Sequence, residues 1–186
     1  MNSTLLAGRT RTPNLPERRV NIVQGEQHVT EDAELCLTTI LGSCVAACLY
    51  DPLAGVGGMN HFLLPGVEGE GQGMQYGVHA MELLVNALLQ KGVRRERLQA
   101  KLFGGARMVQ GLTDVGAKNA EFAKRFVQRE RILLGPGSLG GTAGRRVQFW
   151  PVSGRARQQA IGMDANVFAA ERNAPPLPDT GGVELF

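Results

Sequence analysis

The sequence predicts a mixed α/β domain, and three observations predict it. Short apolar runs recur between turn residues, two longer stretches repeat apolar residues at three- and four-residue intervals, and glycine-rich bends separate them. The 186 residues suit one domain with a substantial core. We place it at 19–162, after a mobile leader at 1–18 and before a tail at 163–186. The tail's NAPPLPDTGG stretch reads as extended or disordered.

In chain order, 19–23 alternates as a strand and 24–34 is polar, with His28 as a solvated loop side chain. Residues 35–41 and 44–50 are short, apolar and separated by Gly42-Ser43, which predicts strand, sharp turn and strand with Cys44 at the bend. Asp51-Pro52 ends the second strand. Gly55-Val56-Gly57-Gly58 leads to 59–64, which carries His61, and glycines 57 and 58 leave room for another backbone or a substrate. The run 66–73, GVEGEGQG, reads as a flexible connector. A helix over 74–91 follows, with Met74, Val78, Met81, Leu84, Val85 and Leu88 on one face and Gly92 as its stop. The charge run 94–97 reads as a solvated linker. Strand 98–103, helix 117–131, residues 132–134, a glycine-rich loop at 135–144 and strand 146–152 complete the core.

Composition narrows the function classes. Hydrophobic residues make up 43% and charged residues 20%, an ordinary globular balance. A formal charge of +3 and 5% aromatics argue against nucleic-acid binding. No apolar run approaches the roughly 18 residues of a membrane helix. The leader has arginines but no apolar core for a secretory signal, and Pro13 and Pro16 disfavour a transit helix. Three cysteines, Cys36, Cys44 and Cys48, cannot all pair and form no CxxC, so a reducing cytoplasmic compartment is expected.

The chemistry-bearing residues are Cys44 and His61. A thiol beside an imidazole can attack a carbonyl carbon at neutral pH, because the imidazole takes the thiol proton and returns it to a leaving group. Free cysteine is also a common core residue and a lone histidine a common structural one, so these residues alone leave both readings open. Along an extended strand Cys48 stands roughly 13 Å from Cys44. That disfavours a disulfide and a shared metal ion. Cys36 and Cys48 read as packing residues. Around the turn, backbone N–H groups at Gly42, Ser43 and Cys44 offer oxyanion donors. Thr38, on the preceding strand, would reach the histidine across the sheet and hold its tautomer, although as a β-branched strand residue it also needs no such role.

Three motifs in order, LGSCVAACLYD (41–51), GGMNHFLLP (57–65) and KLFGGARM (101–108), resemble the CheD family of bacterial chemoreceptor glutamine deamidases. The resemblance implies a layered fold of mostly antiparallel sheet with packed helices, similar to glutamine-deamidating toxin domains. It implies Cys44 as nucleophile, His61 as base and Thr38 as the supporting threonine. It implies chemoreceptor cytoplasmic helices as substrate, the CheC phosphatase as a further partner and no cofactor. An esterase side activity and a non-catalytic adaptor are the alternatives. Two segments depart from the family pattern. Val115-Gly116-Ala117-Lys118-Asn119 stands for Ile-Gly-x-Arg-Asn, and Ser138-Leu139-Gly140-Gly141 stands for Asp-x-Gly-Gly. An ion pair with protonated His61 would lower the cysteine pKa below about 8.5.

Overall fold

The computed structural model describes residues 18–64, 70–108 and 114–161. The leader apart from Arg18, the tail, and residues 66–69 of the expected 66–73 connector lie outside the described residues, while 70–73 of that connector belong to α1. In chain order the elements are β1 (Arg18–Asn21), β2 (Gln27–Thr30), β3 (Leu35–Leu41), β4 (Val45–Asp51), β5 (Val56–Phe62) and α1 (Glu70–Gln90). A 3-10 turn at Arg95–Arg97 leads to β6 (Gln99–Gly104), α2 (Val115–Arg129), β7 (Leu133–Leu134), β8 (Ser138–Leu139), β9 (Gly144–Trp150) and β10 (Arg155–Ile161).

The strands form two sheets. One runs β1-β3-β9-β10; the other runs β2-β5-β4-β6-β7, with β8 added on β6. Most pairs are antiparallel, the parallel ones being β1 with β3 and β6 with β7 and β8. The mixed, mostly antiparallel fold expected from the sequence is therefore the one observed.

Strand β4 is buried along its whole length, so its alternating side chains serve two cores. Val45, Ala47 and Leu49 face Met81, Leu84 and Leu88 of α1 and Phe122, Phe126 and Val127 of α2. Ala46, Cys48 and Tyr50 face Leu37, Leu41, Val147 and Phe149 of the smaller sheet. The larger sheet is thus a middle layer between helices and a second sheet. Gly57 and Gly58 belong to β5 and admit backbone rather than substrate. A Cβ on Gly57 would lie 2.5 Å from the Pro151 carbonyl oxygen, and one on Gly58 2.6 Å from that of His28.

Several expectations are corrected. The polar stretch holding His28 contains β2, which pairs with β5 through its backbone. The arginine- and glutamine-rich β10, unforeseen, pairs along β9. Helix α1 starts at Glu70 rather than 74, running through Gly71 and Gly73 despite the low helix propensity of glycine. The 94–97 charge run is not simply solvated, because Arg97 grips the fully buried Asp51 through Nε at 2.8 Å and Nη2 at 2.7 Å. Asp51 also accepts the N–H groups of Leu53 and Ala54. Burial pushes this carboxyl up, but those bonds and the guanidinium outweigh it and hold it below the usual range.

Candidate active site

Strand pairing brings the cysteine turn and the histidine to one face. In the β4–β5 ladder Ala46 lies opposite His61, and Cys44, two residues before Ala46, extends the same face. Diagonal neighbours on one sheet face stand about 7–8 Å apart, within reach of longer side chains. Cys44 and Cys48 both belong to the core between the sheets. Cys44 is 1% exposed and His61 2%.

His61 spans the gap between the sheets. Its Nδ1 lies 3.0 Å from Thr39 Oγ1 and 3.3 Å from the Ile22 carbonyl oxygen. The Thr39 hydroxyl donates to that same carbonyl at 2.7 Å. A carbonyl only accepts, and the hydroxyl proton is already committed to it, so the ring proton belongs on Nδ1. This assigns the lone pair to Nε2, the form a general base needs. Burial pulls the imidazole down to about 4, opposed by the hydrogen bond to Ile22. The ring is therefore neutral at pH 7, and the standing imidazolium expected from the sequence is not the resting form.

The threonine assignment changes. Thr38 pairs with Gln148 in the β3–β9 register, and strand alternation turns its side chain away from the core face that Thr39 shares with Leu37 and Leu41. The hydroxyl that meets His61 belongs to Thr39. The leucines at 35, 37 and 41 mark position 39 as core-facing in the sequence itself, but apolar Cys36 and Ile40 on the opposite parity blur that signal.

The turn is clamped by its carbonyls. Gly42 O accepts from Ala106 N at 2.8 Å, Cys44 O from Gly105 N at 2.7 Å, and Ser43 O from Asn119 Nδ2 at 3.0 Å. Asn119, named in the sequence only as part of a motif, is fully buried on α2. Beside the turn lies an open cleft of about 290 Å³, walled by Gly105 and Arg107, by Ala117 and Lys124 of α2, and by Gly140 and Gly141. Arg145 holds that last wall, donating through Nη1 to Ser138 O and Oγ at 2.7 Å and through Nη2 to Gly140 O.

The other thiols read as packing. Cys36 and Cys48 are fully buried, and burial pushes Cys48 far up, against a smaller opposing pull from Lys101. Among the described residues no group of three His, Cys, Asp or Glu side chains is placed to hold a metal ion. No described helix is long and apolar enough to cross a membrane.

The family model and the sequence relatives name the same family. The family model CheD, described as chemotactic sensory transduction, matches residues 63–160. A protein of Acidiphilium cryptum named probable chemoreceptor glutamine deamidase CheD is 58% identical over 178 residues, covering 91% of this chain and 94% of that protein. Its counterpart in Caulobacter vibrioides, of the same name, is 51% identical over 179 residues, covering 92% of this chain and 96% of that one. A solved structure, Neisseria meningitidis protein NMB0706, superposes at a TM-score of 0.42 with 11% identity over 67% of this chain and 63% of that one, too distant to guide interpretation. By the family model and these relatives together, the chain belongs to the CheD family.

Proposed function

We propose that the protein deamidates glutamine side chains of chemoreceptors, with Cys44 as nucleophile and His61 as base. The observation that carries the mechanism is the imidazole oriented by Thr39 and Ile22 on the sheet face that Cys44 extends. The names of the relatives supply the substrate class.

The neutral resting imidazole favours proton transfer during attack. Nε2 takes the Cys44 proton as Sγ bonds to the glutamine carboxamide carbon. The resulting imidazolium protonates the departing nitrogen, the C–N bond breaks, and ammonia leaves a thioester. Water, deprotonated by His61, then hydrolyses the thioester to glutamate and restores the thiol. In a trans peptide the C=O and the following N–H point in opposite directions. The Ser43 carbonyl aims at Asn119, so the Cys44 N–H aims away from α2 and serves as an oxyanion donor, with Gly42 and Ser43 shaping the turn. With Cys44 1% exposed, the chain around the cysteine turn must give way for the substrate carboxamide to reach Sγ. Each conversion adds a negative charge to a receptor helix and shifts its local electrostatics.

The test incubates the protein with a chemoreceptor cytoplasmic fragment and maps glutamine-to-glutamate conversion by mass spectrometry, alongside Cys44→Ala and His61→Gln. Conversion by the wild type alone is expected. Equal conversion by Cys44→Ala would sink the cysteine mechanism. Receptor or CheC binding without conversion by any form would favour the adaptor reading.

A further inference from the structure

Asn119 makes three hydrogen bonds, and two of them lead to opposite sides of the candidate site. Its Oδ1 accepts the Leu64 N–H at 2.8 Å, while Nδ2 donates to Ser43 O at 3.0 Å and to Val115 O at 2.9 Å. The amide orientation is fixed by chemistry, since an N–H must meet an oxygen acceptor and a carbonyl must meet a donor. Ser43 immediately precedes the cysteine, and Leu64 follows the histidine three residues on. The bond to Val115, one helical turn back, anchors the side chain to α2. The side chain is fully buried, so each bond is made without competing water.

From this bridge we infer that Asn119 is a positioning residue that holds the Cys44 turn in register with the His61 strand. It bonds to neither reacting side chain. It acts through the Ser43–Cys44 peptide on one arm and the chain leaving β5 on the other. α2 thereby sets how the thiol presents to the imidazole, on the face of the sheet that α2 itself does not cover.

Asn119→Asp separates the two arms. As a carboxylate the side chain still accepts from Leu64 N–H while its other oxygen repels the Ser43 and Val115 carbonyls. If burial protonates it, its single O–H serves at most one of those two carbonyls, so at least one donor bond is lost in either state. Two readouts are taken on the full chain, with a melting curve to establish folding. Where the deamidase reading holds, receptor-fragment turnover should lose about 100-fold in kcat, the scale of a misplaced reacting group, with KM within about threefold. Iodoacetamide modification of Cys44 at pH 7, followed by peptide mass spectrometry, should slow at least about tenfold, to the rate of His61→Gln.

Folded Asn119→Asp with either readout at the wild-type level would overturn the assignment. Absence of deamidation by the wild type would sink the deamidase reading alone, since the alkylation arm still decides the role of Asn119. If Asn119→Asp does not fold, Asn119→Ser, which is smaller and uncharged, takes its place under the same criteria.

Discussion

At the scale of single residues, one hydroxyl decides the state of the imidazole. Thr39 Oγ1 gives its proton to Ile22 O and its lone pair to His61 Nδ1, so the ring is pinned in rotation and in tautomer together. Thr39→Val keeps the branched shape and removes only the oxygen. We expect kcat to fall about 10- to 100-fold, within the range by which positioned acid–base groups contribute, while Thr39→Ser keeps most activity. Thr38→Val, on the outward face, should stay within about twofold. Steady-state turnover of a receptor fragment by the three variants checks this, and a larger loss in Thr38→Val than in Thr39→Val would refute the assignment. Cys44 and His61 could be singled out as candidates in the sequence because a tight turn and a glycine-rich bend frame them. Which of two adjacent threonines faces inward was not, because both strand faces of β3 are apolar and only pairing with β9 sets the parity.

At the scale of elements, the site depends on how closely β6 ends against the cysteine turn. Gly104, the last residue of β6, has φ +107°, and a Cβ there would lie 2.1 Å from the Cys44 carbonyl oxygen. Its neighbour Gly105 donates to the same oxygen. Gly104→Ala combines an unfavourable backbone with a clash against main chain that cannot rotate away. A loss of about 2–4 kcal/mol in urea unfolding is expected. Unfolding at the wild-type midpoint would show that this contact does not constrain the turn. The apolar strands β3, β4 and β6 and both helices could be read from periodicity. β2 and β10 could not, because their polar side chains advertise nothing and their stability comes from backbone pairing with β5 and β9. The grip of Arg97 on Asp51 was hidden for a similar reason, since its partner lies 46 residues away.

At the scale of the whole molecule, His61 is a titratable group sealed between two sheets, so folding and protonation are linked. Its pKa is near 6.5 in an unfolded chain and about 4 in the fold. Between those values the unfolded state binds more protons, so stability rises with pH. The contribution is complete above about pH 6.5 and is lost as pH falls toward 4, about 3 kcal/mol in all. Asp51, whose carboxyl is held below its usual range, loses its contribution only at more acidic pH. Urea unfolding at pH 7 and pH 4.5 should therefore show a marked loss for the wild type and a flatter response for His61→Gln. Equal slopes would place the acid sensitivity elsewhere.

The sequence by itself determined the chemistry available: one cysteine at a turn, one histidine behind a glycine bend, and strand and helix periodicities that specify a mixed layered fold. These are local properties, carried by residue type and short spacing. The tertiary structure alone decided which threonine meets the imidazole, that the ring rests neutral, and that Asn119 of α2 ties the cysteine turn to the histidine strand. Each of those depends on strand register and on burial between layers, and both arise only when segments distant in the chain pack together.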